Sequence, residues 1–110
     1  MYFIYMIVWL INFQRLLNSK FNMKNNKITV VGGLGHIGLP LSIILANKGF
    51  EVNILDKNTQ GIELTKKGVM PFKEKDGAKN LKSALKKKLF FFSKPLNFIK
   101  NSSIIITVGT

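Results

Sequence analysis

Three glycines, spaced Gly33-x-Gly35-x-x-Gly38, are the residues of this chain best suited to chemistry. In that pattern the first glycine permits a tight turn, the second lets a pyrophosphate approach the backbone, and the third lets a helix pack closely on a strand. The chemistry is anion binding. A phosphate would rest on the N-terminus of the following helix, where N–H groups have no intrahelical partner and the dipole is positive. The context agrees, because the β-rich run Ile28-Thr29-Val30-Val31 precedes the glycines and a helical apolar spacing follows them.

Asp56 is the second chemical signal. It lies 18 residues beyond Gly38, at the tip of a strand expected over residues 50–55. A carboxylate there can accept hydrogen bonds from both ribose hydroxyls of an adenosine, and its charge would repel a 2′-phosphate, which favours NAD over NADP. Taken alone, the same aspartate could be a helix N-cap or turn residue ahead of Asn58 and Thr59. The single histidine, His36, cannot form a metal site by itself, and its ring can be incidental in a turn that binds through backbone N–H groups. With no cysteine there is no thiolate nucleophile, thiolate metal site or disulfide. No catalytic residue and no metal ligand set is assigned on this chain.

The elements that must position these residues can be read in order. Residues 28–31 form a first strand, suited to the middle of a parallel sheet. A helix over residues 38–48 places Ile37, Leu41, Ile44 and Leu45 on one buried face, tolerates Pro40 in its first turn and stops at Gly49. After the second strand, a helix over residues 59–67 carries Ile62 and Leu64, and it ends at Gly68. A loop over residues 69–76 leads to a helix over 78–88 with Ala78, Leu81 and Leu85 on one stripe and lysines elsewhere. Strands over 89–92 and 103–108, joined by a short helical turn at 96–100, complete the pattern. Strands alternating with helices, without hairpin signals, imply a parallel sheet. The expected fold is therefore α/β, a Rossmann-like parallel sheet of about four strands in the order 3-2-1-4 with flanking helices, and incomplete. In that order the fourth strand is an edge, yet Ile104-Ile105-Ile106 has no polar alternation and calls for covering layers.

The chain has 110 residues, at most one small domain, and a formal charge of +12. Such an excess raises nucleic acid or an anionic membrane as partners. The lysines argue otherwise, being scattered over helix ends and exposed helix faces without interleaved aromatics, as on a solvated surface. No nucleic-acid partner is expected. Residues 1–22 differ in kind, opening with the apolar run Tyr2 to Ile11. That run is well short of the roughly twenty residues that span a bilayer, and it lacks the flanks of a signal peptide. It could be an interfacial anchor, an extra helix on the domain, or an upstream extension from an early start codon. We read it as the last, an apolar helical extension that is not native, because Met23-Lys24-Asn25-Asn26-Lys27 resembles the natural start of a domain over residues 23–110. Membrane association is not expected, and the chain is expected in the cytoplasm.

From Lys27 to Thr110 the chain resembles the N-terminal NAD-binding domain of the UDP-glucose/GDP-mannose dehydrogenase family, the nucleotide-sugar 6-dehydrogenases. The resemblance rests on Gly33-Leu34-Gly35-His36-Ile37-Gly38-Leu39-Pro40, the acid-tipped strand ending in Asp56, the stretch Gly68-Val-Met-Pro-Phe-Lys-Glu74, and the ending Ile105-Ile-Thr-Val-Gly-Thr110. It implies that Gly33, Leu34, Gly35, His36, Ile37 and Gly38 line the pyrophosphate turn, that Asp56 holds the adenosine ribose, and that Thr110 reaches the cofactor near its nicotinamide half. Family members often carry a basic residue five positions after the ribose aspartate, and Gly61 stands there in this chain. The family oxidises the C6 alcohol of a nucleotide sugar to a carboxylate in two NAD-dependent steps, through a thioester on a cysteine. Because this chain has no cysteine, the resemblance implies half a cofactor site that is not catalytic alone, with nucleotide sugar and homo-oligomer only in a full-length enzyme. Two other classes share the glycine turn: a hydroxyacid or ketopantoate-type dehydrogenase, and a non-enzymatic nucleotide-sensing module. The Gly68–Glu74 stretch weighs against the former, and the incomplete sheet against the latter.

Overall fold

The computed structural model describes residues 26–107, so the expected N-terminal extension and Thr110 lie outside the described residues. The elements run β1 (Lys27–Val31), α1 (Gly38–Asn47), β2 (Glu51–Leu55), α2 (Thr59–Lys66), α3 (Gly77–Lys86), β3 (Phe90–Phe92), α4 (Leu96–Lys100) and β4 (Ser103–Ile106). All strand pairs are parallel and the order is β3-β2-β1-β4, as the sequence predicts. Gly49 (φ +101°) and Gly68 (φ +83°) follow the ends of α1 and α2, in the left-handed conformation that a helix stop requires.

Register decides which side chains share a face. Ile28 pairs with Val52 and Ser103, and Val30 pairs with Ile54 and Ile105. Because side chains alternate along a strand, Ile28, Val30, Val52, Ile54 and Phe90 project to one side. They form the core with Leu39, Leu41, Ile43, Leu45, Ile62, Leu81 and Ala84. Each such side chain taken fully out of water contributes about 1.5–3 kcal/mol, so this layer is the main source of stability.

Helix α1 differs from expectation. Instead of one buried stripe, eight of its ten residues are buried. The helix is wedged between the sheet and α3, so it is covered on both sides. Ile37, expected on the buried face, precedes the first helical residue and is 45% exposed, and Ile44 is only partly buried. Helix α3 also differs, since its buried residues are Gly77, Leu81 and Ala84, while Ala78 is exposed and Leu85 partly buried. It starts one residue earlier than expected, and the 77-81-84 stripe turns toward α1. Asn47 joins the two helices, donating from Nδ2 to the Asn80 carbonyl at 3.1 Å and accepting at Oδ1 from Ser83 Oγ at 3.1 Å.

The opposite face of the sheet is polar at its centre. Thr29 and Asn53, paired across β1 and β2, are fully buried. Asn53 Nδ2 reaches Thr29 Oγ1 at 3.4 Å, Thr29 Oγ1 lies 2.7 Å from Ser102 Oγ, and Ser102 Oγ donates to the Ile99 carbonyl at 2.7 Å. The Lys94 N–H completes the set by donating to Asn53 Oδ1 at 2.9 Å. This chain of bonds ties the crossover from β3 through α4 to β1 and β2. Toward the β4 edge the face opens, and Ile104 and Ile106 are 54% and 69% exposed.

Candidate functional site

The candidate site grows from the point where β1 ends. Val31 closes the strand, and Gly32 at φ +76° turns the chain away from it. The left-handed residue of the turn is thus Gly32, one position before the glycine pattern, and not Gly33 as the spacing suggests. Gly33 is required for another reason, since a Cβ there would lie 2.7 Å from Ile54 Cγ2 and 3.0 Å from the Val30 carbonyl oxygen. At Gly38 a Cβ would meet Thr107 Oγ1 at 2.8 Å and Gly33 Cα at 2.9 Å, the close helix packing expected of the third glycine. Gly35 is different in kind. A Cβ there would make only an ordinary contact, 3.5 Å to the Gly32 carbonyl oxygen. The fold itself therefore does not demand a glycine at Gly35, where an approaching ligand would meet bare backbone.

Backbone bonds hold the turn in shape. The N–H of Gly32 donates to the Leu55 carbonyl at 2.8 Å, and that of Gly35 to the Gly32 carbonyl at 3.1 Å. Three consecutive N–H groups, those of His36, Ile37 and Gly38, have no acceptor among the described residues. Helix α1 begins there with no side-chain cap and no acid in its first turn. The positive end of a ten-residue helix thus has no side-chain cap among the described residues, and its free donors follow Gly35 directly in the chain.

Asp56, the first residue beyond β2, lies beside this turn. Its Oδ2 accepts the Leu34 N–H at 3.0 Å and its Oδ1 accepts the Asn58 N–H at 2.9 Å. The N-cap of α2 is Asn58, whose Oδ1 accepts from the Gly61 N–H at 2.9 Å, so Asp56 shapes the turn without capping the helix. A carboxylate offers about four lone-pair sites, which leaves about two on Asp56 for ligand hydroxyls. Of the other expected residues, Leu34 turns its side chain into the core at 6% exposure and presents only backbone to the site. The exposed His36 ring lies against Phe72, with centroids 4.2 Å apart and planes at 30°. That contact brings the Gly68–Glu74 stretch onto the glycine turn. Thr107, which sequence reasoning missed, donates from its backbone N–H and its hydroxyl to the Val31 carbonyl, both at 2.9 Å. A lone threonine ending an apolar strand carries no local signal of such a contact.

The description "UDP-glucose/GDP-mannose dehydrogenase family, NAD binding domain" matches residues 26–110. The chain belongs to that family. Two solved structures share its fold. One is the UDP-N-acetyl-mannosamine dehydrogenase Cap5O of Staphylococcus aureus, at 34% identity and a TM-score of 0.64, over 74% of this chain and 19% of that one. The other is a GDP-mannose dehydrogenase of Pseudomonas aeruginosa, in a ternary complex, at 25% identity and a TM-score of 0.67, over 76% of this chain and 19% of that one. The chain thus spans about a fifth of the length of these relatives. No curated protein matches it. The cofactor of the family domain is NAD, and the residues present fit it: the uncapped N-terminus of α1 would take the pyrophosphate, Gly35 leaves room for it, and Asp56, which accepts one backbone N–H on each oxygen, keeps lone pairs for ribose hydroxyls. Among the described residues no helix is long and apolar enough to cross a membrane.

Proposed function

We propose that this chain supplies the cofactor half of a nucleotide-sugar 6-dehydrogenase, an enzyme that oxidises the C6 alcohol of a UDP- or GDP-sugar to a carboxylate. The observation that carries the reading is the row of free N–H groups at His36, Ile37 and Gly38 beside Asp56. In this reading the turn from Gly33 to Gly38 holds the pyrophosphate. The donors are backbone groups, Gly35 admits the phosphate oxygens, and Leu34 braces the turn from the core. Asp56 accepts the ribose hydroxyls while its bond to Leu34 keeps ribose and pyrophosphate sites at a set distance. Thr110, outside the described residues, is assigned to the nicotinamide half. When bound, NAD supplies the hydride acceptor. The thioester step needs a cysteine that these 110 residues do not contain.

Calorimetric titration of the chain with NAD and with NADP tests the cofactor site. NAD should bind more tightly, since the Asp56 charge opposes a 2′-phosphate. Equal affinities would remove Asp56 from its role. The coding DNA downstream of Thr110 tests the wider assignment. A cysteine-containing continuation of the dehydrogenase, in frame or frameshifted, supports it, and unrelated sequence counts against it.

A further inference from the structure

Thr107 occupies a junction that the glycine pattern does not describe. It follows β4, and its N–H extends the β1–β4 ladder by donating to the Val31 carbonyl at 2.9 Å. Its hydroxyl lies 2.9 Å from the Val31 carbonyl oxygen and 2.9 Å from that of Gly32, so one proton is shared between two acceptors on either side of the peptide that leaves the strand. The Gly32 carbonyl also accepts the Gly35 N–H, the bond that closes the turn. It is therefore held from two directions, by the turn and by β4. The same hydroxyl abuts the first residue of α1, since a Cβ on Gly38 would come within 2.8 Å of it.

We infer that Thr107 is a positioning residue for cofactor binding, its hydroxyl fixing the Gly32 peptide and through it the direction of the free N–H groups at His36, Ile37 and Gly38. The inference rests on the proposed role of that turn in holding pyrophosphate. The geometric reason is the left-handed φ of Gly32. A glycine peptide is the softest point of the turn, and a rotation there would swing the start of α1 relative to the sheet. Two carbonyls clamped by one side chain oppose that rotation. Neither carbonyl depends on Thr107 Oγ1 alone, because Val31 keeps the Thr107 N–H and Gly32 keeps the Gly35 N–H. Losing the hydroxyl should loosen the turn without unfolding the domain.

The test compares wild type with Thr107→Val, which keeps the shape and removes the proton, and Thr107→Ser, which restores the hydroxyl. Two quantities are read: amide hydrogen exchange of Gly35 and NAD affinity by calorimetry, with thermal melting as the control for global stability. Thr107→Val should accelerate Gly35 exchange and weaken NAD binding by about fivefold each, the value of one neutral hydrogen bond, with Thr107→Ser close to wild type. If Thr107→Val does not fold, Thr107→Ala is read in the same way. Equal Gly35 exchange in wild type and the hydroxyl-free variant, or loss of protection in Thr107→Ser as well, overturns the inference. So does faster exchange with unchanged NAD affinity, which would make Thr107 merely structural. If wild type itself binds no NAD, the cofactor-site reading and the positioning role that rests on it both fall, while the exchange data still report whether the clamp exists.

Discussion

The carboxylate of Asp56 accepts the backbone N–H of Leu34 at 3.0 Å, across 22 residues of sequence. This bond joins the tip of β2 to the middle of the glycine turn. It places an acid beside the turn whose amides are proposed to bind phosphate. Asp56 thus has two tasks, an internal one through Leu34 and Asn58 and an external one through its remaining lone pairs.

Asp56→Asn separates these tasks. The amide oxygen can keep one of the two backbone bonds, while the charge and one acceptor are lost. A hydrogen bond to a charged group contributes about 1.5–3 kcal/mol, so NAD affinity should fall at least tenfold. The preference for NAD over NADP should shrink at the same time, because the repulsion of the 2′-phosphate goes with the charge. Calorimetric titration with both cofactors reads the two effects, and an unchanged NAD affinity would contradict the assignment.

Gly33 and Gly35 should respond differently to alanine. At Gly33 the new methyl would sit 2.7 Å from Ile54 and 3.0 Å from the Val30 carbonyl, so the turn must shift off the sheet. Crowding of that kind costs about 1–3 kcal/mol, visible as a lower midpoint in urea unfolding. At Gly35 the methyl makes only an ordinary contact, 3.5 Å to the Gly32 carbonyl oxygen, and the midpoint should hardly move. NAD binding should nevertheless weaken in Gly35→Ala and vanish in Gly35→Val, because the side chain stands where phosphate oxygens would lie. A stable Gly35→Val protein with wild-type affinity would move the cofactor elsewhere.

Gly61 stands where the family resemblance leads one to expect a basic residue, and introducing one should harm this chain. A Cβ at Gly61 would lie 2.6 Å from Asn58 Nδ2 and 3.0 Å from Leu34 Cδ1. The first contact disturbs the cap of α2, and the second pushes on the turn. Gly61→Lys should lose about 1–2 kcal/mol of stability, the scale of a lost cap, with no gain in NAD affinity. Thermal melting and titration check the two halves. A gain in affinity would show that α2 can retreat from Leu34.

What the sequence discloses of this site follows from how local each signal is. Strand and helix positions, the sheet order and the Gly33–Gly38 turn are legible because period, β-branching and glycine spacing act over a few residues. Asp56 is legible because a strand of five residues places its tip at a set distance from the turn. The clamp from Thr107 to Gly32 is not, since it spans 75 residues and the ending that contains Thr107 points to Thr110 as its site residue. The tight-turn role of Gly32 escapes because three glycines in four positions leave the phase of the turn open. Burial of α1 on both sides depends on α3; the Ile37 expectation fails because Ile37 lies ahead of the first helical residue, and the Ala78 expectation because the stripe of α3 that is buried runs through Gly77, Leu81 and Ala84. The His36–Phe72 contact likewise needs a loop and a turn 36 residues apart to meet.

Asn53 carries a last prediction, one about the scaffold. It is fully buried in the middle of β2, a position where a parallel strand ordinarily holds an apolar side chain. Its Oδ1 takes the Lys94 N–H at 2.9 Å, while its Nδ2 faces Thr29 Oγ1 at the long distance of 3.4 Å. The strong bond therefore points to the start of the β3-to-β4 crossover and not to the neighbouring strand. Asn53→Leu supplies apolar bulk but removes the acceptor of the part-buried Lys94 amide, and a lost hydrogen bond of this kind costs about 0.5–1.5 kcal/mol. Asn53→Asp keeps an acceptor for Lys94 but places a charge at a fully buried position, which costs more. The expected order of stability in urea unfolding is wild type, then Asn53→Leu, then Asn53→Asp. Hydrogen exchange should show the Lys94 amide opening first in Asn53→Leu. A variant Asn53→Leu more stable than wild type would mean that the crossover is held by the packing of Phe91 against Phe98 and not by this bond.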